Sequence, residues 1–159
     1  MAIAALGLDV GRKRIGVAGC DGTGLIAFGI TTIHRKTFND DVAQLRQLVQ
    51  ERQIDTLIVG LPYSMDGSLG TQARQVQKFA KAIAAELSLP LIYVDERLTS
   101  FQAEQLLQAE GIAPSRRKEL IDRKAAAIIL QQWLDDQRGK LAIAPPSDPA
   151  THHENLEFI

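Results

Sequence analysis

"GLDVGRKRIGVA", residues 7–18, sets an aspartate inside an apolar run, closes that run with a glycine and then places Arg12, Lys13 and Arg14 together before the apolar pattern resumes. Residues 3–10 and 14–20 are short and rich in Ile, Leu and Val, so the pair reads as a β-hairpin turning at "GRK". "LIAFGITTI", 25–33, supplies a third strand. From there the period changes. Val42, Leu45, Leu48 and Val49 recur at helical spacing between Asn39, read as the N-cap, and Arg52.

"DTLIVGLP", 55–62, is a buried strand stopped by proline, and Val76, Phe79, Ala80, Ile83 and Leu87 mark a second amphipathic helix. "LPLIYVDE", 89–96, is the next strand. Thr99 and Gln102 match a capping box opening a helix that stops at Gly111, and a last helix runs from about Arg117 to Gln137. Strands alternating with helices in the second half require parallel crossovers. The chain is therefore expected to form an α/β fold, with a mixed five-stranded sheet (three antiparallel strands, then two parallel) and helices on both faces. Residues 1–138 form one domain; 139–159, with three prolines between 145 and 149, read as an irregular C-terminal tail.

Composition narrows the function. A formal net charge of -1 gives no overall attraction for polyanions, so any nucleic-acid contact must come from local basic clusters. The single cysteine, Cys20, allows no intrachain disulfide and no Cys-rich metal knuckle, and it is read as a small buried side chain. No apolar run reaches the roughly 18 residues of a membrane span, and a cytoplasmic protein without a membrane partner is expected. "GCDGTG", 19–24, lacks the lysine and following helix of a phosphate loop and reads as a turn. The three histidines form no ligand pattern.

Three carboxylates stand in uncomfortable places. Asp9 continues the alternation of the first strand, where a buried carboxylate costs several kcal/mol without an ion pair or a cation. An aspartate before a glycine also serves simply as a turn residue. Glu96 ends "LIYVDE", at the carboxyl end of a parallel strand, where ligands gather in open α/β sheets; a solvated strand end is the other reading. Asp122 heads an apolar helical stripe continued by Ala126, Ile129 and Trp133, and so faces the sheet. A place near the helix start would explain an acid there through the dipole, but not the inward face. Acids converging from two strand ends and one helix need their repulsion relieved, which hard divalent cations such as Mg²⁺ accomplish while also engaging phosphates.

Four motifs, "LGLDVGRKRIGVA", "LIVGLPYSMDGS", "VDERLTS" and "RRKELIDRKAAAIILQQWLD", together resemble the YqgF (RuvX) family of pre-16S rRNA nuclease and Holliday junction resolvase-like proteins over roughly residues 3–135. The resemblance implies an RNase H-like fold and a Mg²⁺- or Mn²⁺-dependent nuclease. It matches Asp9 to the first-strand acid, Glu96 to the acid of the "DER" motif and Asp122 to the helical acid, the three catalytic and metal-holding residues. Ser64 departs from the asparagine usual in the family's loop.

Arg12, Lys13, Arg14, Arg74, Arg97, Arg116 and Arg117 are the expected nucleic-acid contacts, with the loop 60–74 and the helix N-terminus after it favouring phosphate; a surface turn built from Pro, Asp and Gly is the other reading of that loop. For the bases near Asp122, a solvated charged face is the alternative reading. Aromatics make up 5% of the chain, which argues against a stacking platform, so backbone and shape recognition is expected. The leading expectation is cleavage of structured RNA, with processing of the 5′ end of pre-16S rRNA as the role, by a monomer or weak dimer. The alternatives are a resolvase of four-way DNA, a non-catalytic module binding rRNA or the transcription machinery, and an actin-like or sugar-kinase ATP site. The last needs two such domains, and this chain has room for one.

Overall fold

The computed structural model describes residues 3–96 and 99–143, without the side chains of 99, 100, 115, 116, 118, 119 and 141–143. Strands β1 (Ala5–Val10), β2 (Arg14–Cys20) and β3 (Ala27–His34) lead into α1 (Phe38–Arg52). Then follow β4 (Thr56–Leu61), α2 (Thr71–Leu87), β5 (Leu91–Asp95), α3 (Thr99–Ala109) and α4 (Pro114–Ile143). The sheet order is β3-β2-β1-β4-β5, antiparallel across β1, β2 and β3 and parallel from β1 through β4 to β5. The expected mixed sheet of five strands is the one observed. Among the described residues no helix is long and apolar enough to cross a membrane.

The β1–β2 turn closes where the Gly11 N–H donates to the Arg14 carbonyl at 2.8 Å, holding Val10 opposite Ile15. Alternation then sorts the side chains of each strand. Leu6, Leu8 and Val10 of β1 join Ile15, Val17, Leu57, Val59 and Leu61 in a core under α1 and α2, completed by Leu45, Val76 and Ile83. Ala5, Ala18, Ile58 and Val94 point to the other face, where Ala126, Ile129, Leu130 and Leu134 of α4 cover them. Each fully buried Leu or Ile contributes about 1.5–3 kcal/mol. α4 lies across β1, β2 and β3, and so spans the sheet rather than running beside one strand.

Small residues set how closely α4 approaches. A Cβ at Gly7 would stand 2.8 Å from the Leu130 Cβ, and one at Gly16 would stand 1.9 Å from the Asp122 carbonyl oxygen. Both strands are therefore in near backbone contact with the helix, a separation that only glycine permits.

Several boundaries differ from expectation. Thr37, not Asn39, caps α1: its hydroxyl accepts the Asp40 N–H at 3.1 Å, while the buried Asp41 carboxylate accepts the Lys36 N–H at 3.1 Å. With the Asp40 N–H satisfied by the cap and the preceding Lys36 N–H tied back to Asp41, the helix starts at Phe38. α4 begins at Pro114, whose fixed φ and missing N–H suit a first turn, and it continues past Gln137 to Ile143. Residues 144–159 of the expected tail lie outside the described residues, as does the Thr99 side chain of the expected capping box. Cys20 is half-buried rather than buried, with Sγ 3.7 Å from the Ile3 carbonyl.

Candidate active site

β1 is the central strand, and Asp9 is its second-to-last residue. It pairs with Gly16, so the two positions share the α4 face of the sheet, and Gly16 is the seat of the Asp122 backbone. Asp9 and Asp122 are thereby brought side by side. Among the described residues nothing donates a hydrogen bond to Asp9 and no cation pairs with it. Its pKa is pushed from the ordinary 3.8 up to about 7, first by burial and second by the charge of Asp122.

Asp122 lies about two turns beyond Pro114, too far in for the helix dipole to account for it. Its Oδ2 accepts the Nε–H of Arg14 at 2.6 Å, with both side chains largely shielded from solvent. Of the three turn bases, Arg14 is thus engaged by an acid, while Arg12 and Lys13 project outward. A cleft of about 380 Å³ lined by Gly11, Arg12, Lys13, Arg14 and Asp122 opens at this point.

Glu96 follows β5 and is buried at 9% exposure, its N–H donating to the Leu61 carbonyl at 3.1 Å. Its side chain passes over Gly60: a Cβ there would meet the Glu96 Cγ at 2.6 Å and the Ile129 Cδ1 at 2.5 Å. Gly60 follows Val59, the partner of Leu8, so it flanks Asp9 on the β4 side as Gly16 does on the β2 side. Two glycines thus clear space on either side of Asp9 for the other two acids. All three reach the α4 face at the carboxyl end of the parallel strands.

Among the described residues no three His, Cys, Asp or Glu side chains make a preformed metal cluster. The donor set still suits a hard divalent cation: the acids offer only oxygen, and among the described residues no donor compensates the Asp9 carboxylate. Of the other expected contacts, Arg74 is exposed in the first turns of α2, and Arg117 donates to the Ile112 carbonyl at 2.8 Å, fastening the α3–α4 turn. Arg97 and the Arg116 side chain lie outside the described residues.

The reading of the sequence missed Arg35. Its Nη1 donates to the Gly11 carbonyl at 2.6 Å, its guanidinium carbon sits 4.1 Å from the centre of the Phe79 ring, and its Nε lies 3.8 Å from Asp41. It braces the back of the β1–β2 turn, a role with no local sequence signal because its partners come from three separate segments.

A central strand with an acid one residue before its end, antiparallel neighbours on one side, parallel ones on the other, and a second acid on the covering helix define an RNase H-like fold of the resolvase type. Solved structures agree on the fold. RuvC of T. thermophilus in complex with a Holliday junction substrate superposes with a TM-score of 0.56 at 16% identity, covering 86% of this chain and 96% of that one. A Fowlpox virus resolvase in complex with Holliday junction DNA gives 0.54 at 11% identity, covering 85% and 99%.

The family model described as "RuvX: Holliday junction resolvase" matches residues 3–136, and the chain belongs to this nuclease family. Relatives named "Putative pre-16S rRNA nuclease" include one from Trichormus variabilis, 71% identical over 86% of this chain and 90% of the relative. Another, from Synechocystis sp., is 63% identical over 87% of this chain and 91% of the relative.

Proposed function

We propose that this chain is a divalent-metal-dependent endonuclease that hydrolyses phosphodiester bonds of structured nucleic acid in the cytoplasm, with the 5′ end of pre-16S rRNA as its substrate. The observation that carries this reading is the uncompensated Asp9 carboxylate set beside Asp122 on one sheet face. The family's relatives support the choice of RNA.

Asp9, Glu96 and Asp122 would hold Mg²⁺ or Mn²⁺, which when bound activates water and stabilises charge on the leaving oxygen. The chain's own residues do the rest. Asp9 gives up a proton that it holds near neutrality, so cation binding and proton release are linked at this carboxylate. Arg14 keeps Asp122 oriented through its 2.6 Å contact. Arg12 and Lys13, exposed at the rim, meet substrate phosphates, with Arg74 contacting the backbone from α2.

The test is cleavage of a structured pre-16S rRNA fragment with Mg²⁺ or Mn²⁺ against chelator, for the unaltered protein and Asp122→Asn. Metal-dependent cutting that the variant lacks is expected; cutting in chelator, or by the variant at full rate, overturns the assignment. Four-way DNA is the second substrate to assay, since the family description names Holliday junctions. Cleavage of that DNA with the RNA left intact would transfer the activity to junctions.

A further inference from the structure

On the far side of β1 from the acids lies a second cleft of about 330 Å³, lined by Val10, Gly11, Arg12, Arg35, Gln72, Gln75 and Val76. Val10 follows Asp9 directly, and alternation turns its side chain to the α1 and α2 face. Gly11 and Arg12 line both this cleft and the one containing Asp122, so the two open on either side of the same turn at the end of β1.

Its chemistry suits one kind of guest. The floor is apolar, made by the buried Val10 and Val76. Gln72 and Gln75, one turn apart on α2, present primary amides to which no described residue hydrogen-bonds, each offering both donors and an acceptor. Arg12 is an exposed cation at the mouth, again without a described partner, and Arg35 is held at the wall by Gly11 and Phe79. Among the described residues no carboxylate lines the cleft. An apolar lining, two unspent amides and a positive rim match a nucleobase with its attached phosphate, because glutamine amides pair with base edges bidentately.

We propose that this cleft is a nucleobase subsite, taking one unpaired base of the strand whose phosphate lies over Asp9 and Asp122. The inference rests on the nuclease reading for the path of the strand. A backbone that crosses the end of β1 at Arg12 carries its next base to the opposite face of the sheet, which a base still stacked in a duplex cannot reach. The subsite selects strands with an unpaired nucleotide beside the cut, and it gives a protein with few aromatics a means of base recognition.

The experiment measures binding in chelator at fixed salt, so that it does not depend on cleavage. The probe is a fluorescent hairpin RNA with a short single-stranded overhang, compared with the same hairpin made abasic throughout the overhang. The unaltered protein is expected to bind the base-bearing probe about tenfold more tightly, and Gln72→Ala/Gln75→Ala to bind both probes alike. Both glutamines are exposed on a helix where alanine is well tolerated, so the double variant should fold. Equal binding of the two probes by the unaltered protein overturns the subsite, as does a preference retained by the double variant. Cleavage of the base-bearing probe with metal reports separately on the nuclease reading.

Discussion

Replacing Asp9 by asparagine removes the charge and keeps the shape, and in the absence of metal it should make the protein more stable at alkaline pH. In the fold the Asp9 proton is held up to about 7, whereas the unfolded chain releases it near 3.8. Stability is therefore lost as pH rises through that window, because the unfolded state ionises first, and the whole penalty is present above about pH 7. At about 1.4 kcal/mol per pH unit, the gap corresponds to about 4 kcal/mol, a large part of a typical domain's stability. Urea unfolding followed by circular dichroism, in chelator at pH 8.5 and pH 4.5, measures it. Asp9→Asn should exceed the unaltered protein by several kcal/mol at pH 8.5, with the difference narrowing toward pH 4.5. Excess Mg²⁺ should stabilise the unaltered protein at pH 8.5 and leave the variant unmoved. A variant equal to or less stable than the unaltered protein at pH 8.5 would refute the claim that the largely shielded Asp9 carboxylate lacks a compensating partner.

Gly16→Ala puts a methyl 1.9 Å from the Asp122 carbonyl oxygen, so α4 must retreat by about 1 Å or more. Activity on the cleavable substrate should fall about 100-fold, and full activity would contradict the close helix seat. In the same helix Gly139→Ala meets nothing within 4 Å and should raise stability by up to about 1 kcal/mol, measured by thermal unfolding. Thr37→Ala removes the α1 cap and should cost about 1 kcal/mol in urea unfolding, whereas the same change at Asn39 should cost much less. Arg74→Ala should weaken nucleic-acid binding and lower the slope of its salt dependence by about 1; an unchanged slope would remove Arg74 from the interface.

The hairpin that opens the chain was legible because its apolar runs and its basic turn agree, and β2 occupies the expected residues 14–20. The inward face of Asp122 was legible too, from the spacing to Ala126 and Ile129, both fully buried. The cap of α1 was not: Thr37 and Asn39 are both good caps, and the choice between them depends on Asp41 folding back to Lys36. The start of α4 was misplaced although Pro114 is a usable signal for a first turn. Gly16 and Gly60 carried no sign of their role, since a glycine cleared for a passing helix or side chain looks like any other glycine in a strand. Gln72 and Gln75 read as an ordinary polar helix surface, and only the proximity of Val10 and Arg12 gives them chemistry.

α4 joins two things that many enzymes keep apart, the cover of half the core and a proposed catalytic side chain, and it also carries Trp133, the chain's one tryptophan. Eleven residues from Asp122, the indole sits about 16 Å along the same rod, packed against the buried Ala126 and Leu130 cluster. The protein thus contains its own optical gauge. Emission from this single indole follows the docking of α4 on the sheet, so changes made at the acid end can be watched from the far end without any label.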